Sequence, residues 1–388
     1  MRVCIVVNNF PSLSEPFLVN KIAGLATRGH KVHIVCSHFK GIEDIFLRYN
    51  LSSSNIVIHQ LHLKRGFSNF LVNIVRQPSL FFKSVSIDRT SFRRNYERHY
   101  CISFFRRIKY DIIHFEFSSI GTGFASIIKD LKGKKVVSCR GGMERLKLQN
   151  SDKSERLTRL LNKIDMIHCV SDDVKKIIEP HCNNPSIIFI GHPSVDINAY
   201  HLSSRNEQKE VFEILSISRS YKREFTIALL TIKGLVDKGY RVHWNVVTGS
   251  DHNEDLLSAI SDMGLASHVT VLGKRDADEV KGFSEKANIF LAANEFDGMS
   301  TAILEAMAMQ LPVVAMECGG IREMVEHGVS GFIVPLNSHE QLAQSVAALI
   351  DDAGLRRQTG LAARQTIAEA FTIQKETDTF EKAYRSLL

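Results

Sequence analysis

A chain of 388 residues, 44% hydrophobic and 23% charged with only 8 prolines, has the composition of a folded globular protein and excludes a disordered or fibrous one. Single hydrophobic cores rarely grow past roughly 250–300 residues, so two domains are expected. The formal net charge of +7 is gathered in one stretch and not spread along the chain.

The chain opens on the apolar run Val3-Cys4-Ile5-Val6-Val7, which passes at once into Asn8-Asn9. The run is too short for a signal-peptide core or a membrane span, and reads as a buried strand. The loop Phe10-Pro11-Ser12-Leu13-Ser14-Glu15 follows, then a helix through Ala26, a turn at Arg28-Gly29-His30 and a strand over Val32 to Val35. This is the opening of a parallel βαβ sheet. Apolar runs recur at 56–58, 111–114, 135–138, 166–170 and 187–190. With helical stretches between several of them, they predict one doubly wound domain over 1–190.

Residues 191–210 turn polar, with Pro193, Asp196, Asn198, Ser203, Ser204 and Asn206, and read as a linker. A second series then begins, with strands expected at 212–217, 242–247, 269–272, 289–292, 312–315 and 332–334 and a helix at 225–238. It predicts a second Rossmann-like domain over 211–371, and leaves the helix 372–388 as a candidate to return to the first domain. The class is α/β. Two such domains in succession place a cleft between them, with ligands bound off the carboxyl ends of the strands.

Between Lys64 and Lys109 lie eleven bases against two acids, Asp88 and Glu97, interleaved with Phe67, Phe70, Phe81, Phe82, Phe104 and Phe105. Such a mixture suits a surface set against anionic lipid headgroups or a lipid diphosphate. A solvated basic face over ordinary core aromatics accounts for it equally well. No nucleic-acid-binding motif accompanies it, so nucleic acid is not an expected partner. The seven cysteines are odd in number and include no C-x-x-C pair, which argues against a disulfide framework and a zinc site. A cytoplasmic protein is expected, peripheral on the inner face of the membrane if the basic segment meets lipid.

The sharpest signal runs from Glu295 to Val314. It reads as a strand end, a glycine turn, a helix capped by Ser300 or Thr301, and a proline-marked exit at Pro312 into the next strand. The backbone of Gly298, Met299, Ser300 and Thr301 offers free N–H groups at a helix start, and the glycine permits close approach by phosphates or sugar hydroxyls. Asp297 sits in the turn and Glu305 eight positions on, inside the helix. Two carboxylates so placed can accept hydrogen bonds from different parts of one ligand. By pattern alone, a capped amphipathic helix bearing one exposed Glu explains the same residues. A second candidate is Ser218-Arg219-Ser220-Tyr221-Lys222-Arg223, where cations at a strand end would stabilise the charge building on a departing diphosphate; exposed loop bases are its plain alternative.

The stretch resembles the signature of the family 4 retaining glycosyltransferases: an acid, seven intervening residues, Glu-Ala-Met-Ala-x-x-Leu-Pro-Val-Val, a Gly-Gly turn and a Glu-x-Val helix. The later parts stand here as Gly319-Gly320-Ile321-Arg322-Glu323-Met324-Val325 and Gly328-Val329-Ser330-Gly331. The resemblance implies the GT-B fold, with Asp297 on the donor sugar and Glu305 on the ribose. The first acid of the family is usually Glu, so the shorter Asp297 either shifts its reach or hands the role to Glu295. It implies a diphosphate-binding pair made by Arg219 with Lys222 or Arg223, the loop here being shortened and Ser218 standing where the family has glycine.

In the first domain, Phe10 to Glu15 resembles the Phe-Pro-x-x-Ser-Glu opening of polysaccharide-assembly members, which implies a place for Ser14 and Glu15 at the acceptor or donor face. Arg140, before Gly141, stands where the family commonly has a histidine on the transferred sugar, and an arginine stays protonated and cannot serve as a base. Ser171 matches a family serine after the next strand, and structural capping explains it as well. Asp276-Ala277-Asp278 resembles a metal-binding Asp-x-Asp, yet precedes a helix and reads as an N-cap.

No metal or resident cofactor is expected, the nucleotide-diphosphate sugar being a co-substrate. The implied activity is transfer of a sugar to a glycan or lipid-linked acceptor in cell-surface exopolysaccharide or lipopolysaccharide synthesis. A nucleotide-sugar epimerase or hydrolase on the same fold, and a catalytically silent subunit that recruits a membrane or partner, remain alternatives.

Overall fold

A computed structural model describes residues 1–11, 15–39, 41, 55–61, 100–200, 210–218, 222–249 and 253–388; the side chains of Met143, Lys222 and Arg223 fall outside it. The chain folds as two α/β units. One comprises Met1–Val170, Lys175–Gly191 and Thr377–Leu388, the other Ser171–Val174 and His192–Glu376. The polar stretch expected as a linker is therefore divided otherwise. His192 to Tyr200 belongs to the second unit, where Val195 bridges Thr372, and 201–209 lie outside the described residues.

The strands of the first unit are β1 (Arg2–Val6), β2 (Asn9–Phe10), β3 (Lys31–Cys36), β4 (His38–Phe39), β5 (Ile56–Gln60), β6 (Ile112–Phe115), β7 (Lys134–Cys139), β8 (Met166–Cys169) and β9 (Ile188–Ile190). Seven of them form one sheet in the order β5-β3-β1-β6-β7-β8-β9, with β2 and β4 paired separately. Every neighbouring pair in the seven-stranded sheet is parallel. Parallel strands covered on both faces become continuous apolar runs, and Val3, Ile5, Ile34, Ile112 and Val136 are fully buried accordingly. The helix Pro16–Thr27 starts with proline at its first position and is followed by Gly29 at φ +78°, a left-handed conformation that ends it without a Cβ penalty. Its Phe17, Leu18, Ile22 and Leu25 pack into the same core as Phe380 and Tyr384 from the C-terminal helix Ile373–Arg385.

In the second unit the strands are β10 (Phe212–Ser218), β11 (Val242–Thr248), β12 (Val269–Gly273), β13 (Ile289–Ala292), β14 (Val313–Met316) and β15 (Gly331–Val334). They form one sheet in the order β12-β11-β10-β13-β14-β15, again parallel throughout. The strand order reverses between β10 and β13. A crevice opens at such a reversal, at the carboxyl ends of the strands. Behind it Trp244 is fully buried, its indole Nε1–H donating to Ser216 Oγ at 2.9 Å while Ser216 Oγ donates to Leu291 O at 2.6 Å, so one hydroxyl ties β10, β11 and β13 together.

One helix differs from expectation. It spans Lys222–Asp237 and not 225–238, so Lys222 and Arg223 stand in its first turn and not in a loop. Only 219–221 separate it from β10, and a connection that short leaves no room for a longer approach.

Candidate active site

The crevice of the second unit is walled by the loop that leaves β13 and enters the helix Thr301–Ala308. Because β13 and β10 are sheet neighbours, this loop lies beside Ser218 at the end of β10. One carboxylate joins them. Glu224, in the first turn of Lys222–Asp237 and almost fully buried, accepts from Ser218 Oγ at 2.7 Å and from the Glu295 backbone N–H at 3.2 Å. Burial pushes its pKa up, the two hydrogen bonds oppose that, and the charges of Asp297 and Glu295 add to it. Glu224 was not among the residues singled out from the sequence. The available signal was an acid in the first turn of the helix following β10, a position that favours carboxylates in general and so says little about this partner.

The turn carrying Asp297 is held from the other side by the Gly-Gly pair. Gly319 adopts φ +53°, and a Cβ there would fall 2.0 Å from the Asp297 carbonyl oxygen. A Cβ on Gly320 would fall 2.7 Å from both the Gly298 carbonyl oxygen and Ser171 Cβ. Only glycine admits this approach, and it lets the Gly320 N–H donate to Gly298 O at 2.8 Å. Asp297 in turn accepts from its neighbour's N–H, Gly298, at 2.8 Å. Asp297, Met299, Ser300, Cys318 and Gly320 line one small cavity. Burial, followed by the nearby carboxylates of Asp297, Glu224 and Asp173, pushes the Cys318 thiol up to about 12, so it is no thiolate at neutral pH.

Ser300 is the N-cap residue of Thr301–Ala308, but its side chain makes no capping bond, and no acid occupies the first turn. The expectation of a helix capped by Ser300 or Thr301 therefore holds for position and fails for chemistry: the helix starts with uncapped N–H groups facing the glycine turn. Glu305 lies deeper in the same helix, where its carboxylate hydrogen-bonds Tyr200. Burial raises its pKa to about 7, and the Tyr200 hydrogen bond only partly offsets this. Glu305 is thus held by Tyr200, and Asp297 by the glycine-clamped turn. Tyr200 was likewise missed, since a tyrosine in a polar stretch carries no pattern of its own.

The Glu of the Glu-x-Val segment proves to be a fastening. Glu323 accepts from the Asp172 backbone N–H at 2.9 Å and pairs with His192 Nε2 at 2.9 Å. Beside it, Ser171 Oγ accepts from the Val174 N–H at 3.2 Å, which is the capping role. Asp276 Oδ1 accepts from the N–H groups of Asp278 and Glu279 while Glu279 reaches back to the Asp276 N–H, a capping box that accounts for the Asp-x-Asp pattern. Among the described residues no group of three or more His, Cys, Asp or Glu is placed to hold a metal ion, and no helix is long and apolar enough to cross a membrane. Arg219 and Ser14 lie outside the described residues, as do the side chains of Lys222 and Arg223 and positions 62–99 of the basic aromatic segment.

The first unit holds a buried ionic cluster at the ends of β6 and β7. Glu116, fully buried, forms ion pairs with Lys21, also fully buried, and with Arg140 Nη2 at 2.8 Å. The guanidinium also donates through Nε to the Glu116 carbonyl at 3.1 Å and lies over the Phe17 ring, 3.9 Å from its centroid. Burial alone would push Glu116 up, but the charges of Lys21 and Arg140 win and hold it far below the usual carboxylate range. Around it His114 Nε2, Ser138 Oγ and His168 Nδ1 form a chain with contacts of 2.7 and 2.8 Å, and His114 Nδ1 meets the Tyr384 hydroxyl at 2.6 Å. Burial pushes His114 down to about 3 and lowers His168 as well, so both rings are neutral. Gly141 takes φ +104°, and its N–H and that of Arg140 both donate to Glu144 Oε2, at 2.8 and 3.1 Å. Glu15 is the N-cap residue of Pro16–Thr27 and forms no side-chain capping bond.

Residues 15–199 match the family described as Glycosyltransferase Family 4, and residues 212–352 match Glycosyl transferases group 1. Along its whole length the chain is 24% identical to the amylovoran biosynthesis glycosyltransferase AmsK of Erwinia amylovora, covering 98% of that protein. It is 22% identical to the N-acetyl-alpha-D-glucosaminyl L-malate synthase of Bacillus anthracis, covering 100% of this chain and 98% of that one. The fold matches that of Alr3699/HepE from Anabaena, solved in complex with UDP and glucose, with a TM-score of 0.73, 16% identity and 100% of both chains covered. Two parallel-sheet units of this kind, each matched by its own transferase family, make the chain a glycosyltransferase of GT-B architecture, with a Family 4 domain followed by a group 1 domain.

Proposed function

We propose that this glycosyltransferase moves a sugar, with retention of anomeric configuration and without a metal, from a nucleotide-diphosphate sugar to a glycan or lipid-linked acceptor in cell-surface polysaccharide synthesis, at the inner face of the membrane. The observation that carries the reading is the glycine-clamped turn Asp297–Ser300 at the start of an uncapped helix. Such a turn presents N–H groups to an oxyanion while Asp297 stays within reach of the attached sugar. Glu305 and Tyr200, deeper in the unit, are assigned to the ribose. The amylovoran role named for AmsK and the UDP and glucose bound by HepE support the donor and pathway class.

In the proposed reaction the bond from the anomeric carbon to the diphosphate oxygen breaks as the acceptor hydroxyl attacks the same face. The leaving phosphate takes the hydroxyl proton. Arg219, with Lys222 or Arg223, offsets the charge growing on the departing diphosphate, an interaction stronger in the transition state than in the ground state.

The purified protein, given a panel of nucleotide sugars and acceptors, is expected to consume donor only when acceptor is present and to form the retained anomer by NMR. An inverted product overturns the front-face reading. Donor consumption without acceptor points to a hydrolase or epimerase, and absence of donor binding by calorimetry points to a silent subunit. Activity that EDTA abolishes and a divalent cation restores overturns the metal-free part.

A further inference from the structure

The ionic cluster of the first unit has more cation than its carboxylate can satisfy. Glu116 carries one negative charge and is shared by Lys21 and Arg140. Its two histidine neighbours are neutral, and the next carboxylate, Glu144, accepts from the backbone N–H groups of Arg140 and Gly141 and faces the charge of Lys147. Of the two cations, Lys21 is sealed in the core, whereas the Arg140 side chain retains 16% exposure at the carboxyl end of β7, the end from which ligands are bound in such sheets.

Arg140 is also held in one orientation. Nε donates to the Glu116 carbonyl, Nη2 donates to the Glu116 carboxylate, and Cζ lies over the Phe17 ring with the Phe117 centroid at 5.5 Å. The remaining nitrogen, Nη1, meets no protein group among the described residues. A guanidinium fixed on one edge by a buried carboxylate and stacked on aromatic rings has lost little further entropy to lose, and its open donors match the planar oxygens of a carboxylate or phosphate. Holding a neutral hydroxyl there would leave the second positive charge uncompensated in a poorly solvated place.

Resting on the transfer activity proposed above, we infer that Arg140 is a specificity residue that binds an oxyanion on the substrate, so that this enzyme selects an acidic sugar or a phosphorylated acceptor over its neutral counterpart. The shared chemistry is a carboxylate or phosphate oxygen pair. A uronic-acid sugar and a lipid diphosphate are its two sources.

The test compares matched pairs with the whole chain: UDP-glucose against UDP-glucuronate, UDP-galactose against UDP-galacturonate, and a sugar on a neutral alkyl aglycone against the same sugar on a polyprenyl diphosphate. In one pair the anionic member is expected to show kcat/KM at least about tenfold higher, and the pair that does so identifies the source. Arg140→Gln should lower that anionic-to-neutral ratio by about tenfold or more, to about one, and Arg140→Lys by less, because it keeps the charge and loses the fork. In Arg140→Gln, Lys21 continues to neutralise Glu116, so no buried carboxylate is stranded, and a thermal melt checks the fold.

A ratio unchanged by Arg140→Gln, or no preference in any pair, overturns the inference. If no donor is turned over at all, saturation-transfer NMR with glucuronate, inorganic phosphate and glucose separates the two claims. Signal for glucuronate or phosphate that Arg140→Gln abolishes upholds the oxyanion site while the transfer reading falls. Signal that is absent, or equal in wild type and variant, removes the site too.

Discussion

The charged groups of the two units are organised on opposite principles. In the second unit most of the groups come from one nearly continuous stretch, Glu295 to Glu305, joined by Glu224 and Tyr200 and positioned largely by backbone: a glycine clamp, an uncapped helix start and a short turn. In the first unit they come from residues far apart in the chain, Lys21, His114, Glu116, Ser138, Arg140 and His168, positioned by one another's charges and hydrogen bonds inside a core. A backbone-built site tolerates side-chain change and fails when main-chain space is lost. A network built from mutual charge fails when the partner removed leaves a sealed charge uncompensated.

The sharpest way to break this contrast is Glu116→Ala, which leaves Lys21 buried without the carboxylate it pairs with. Removing one partner of a buried pair costs about 3–5 kcal/mol. Urea denaturation should show a loss of that order, and a loss below about 1 kcal/mol would mean that the cluster is far better hydrated than its burial indicates.

Gly319→Ala attacks the other principle. The added methyl would meet the Asp297 carbonyl at 2.0 Å with the backbone at φ +53°, so the turn must move. A stability loss of about 2–3 kcal/mol and a fall in turnover of about 100-fold are expected, because displacing a reacting group by about 1 Å costs that much. Turnover within a few-fold of wild type would show that the clamp does not position the donor.

Glu305 sharpens the comparison through pH. Its folded pKa of about 7 lies above its ordinary 4.5. Between those values the folded state keeps a proton that the unfolded chain has released, so stability falls as pH rises from about 4.5 to 7. Glu305→Gln removes that dependence, flattening the unfolding free energy from urea denaturation across this range by at most about 3 kcal/mol. An unchanged slope in the variant would assign the pH dependence to another group. The smallest effect is Trp244→Phe, which removes the donor to Ser216 Oγ and should cost about 1 kcal/mol by thermal melting.

The same contrast explains what could be seen in the sequence. The strand runs were legible because parallel strands buried on both faces are plain apolar stretches, and each named run forms a strand. The Glu295–Glu305 segment was legible because its parts are contiguous, and Asp276 because a cap is a local bargain between residues three apart. Glu224 and Tyr200 were not, since each acts on a partner far along the chain, Glu295 and Glu305, that only the fold brings near. The partnership of Lys21, Glu116 and Arg140 was hidden for the same reason. They meet because β1, β6 and β7 are sheet neighbours, although Lys31 to Gln60 supplies β3 and β5 between the first two in the chain. The helix beginning at Lys222 was misjudged because helix starts depend on the reach of the preceding connection, which propensity does not encode.

Phe380 and Tyr384, from the helix Ile373–Arg385, are fully buried in the core of the first unit, and Tyr384 closes the His114 chain. In order of synthesis, every residue of the second unit precedes those two rings. The interior of the amino-terminal half therefore stays incomplete until the last residues of that helix are made. Vectorial synthesis ordinarily lets the leading half mature first; here a chain stalled before residue 377 would lack part of the first half's core.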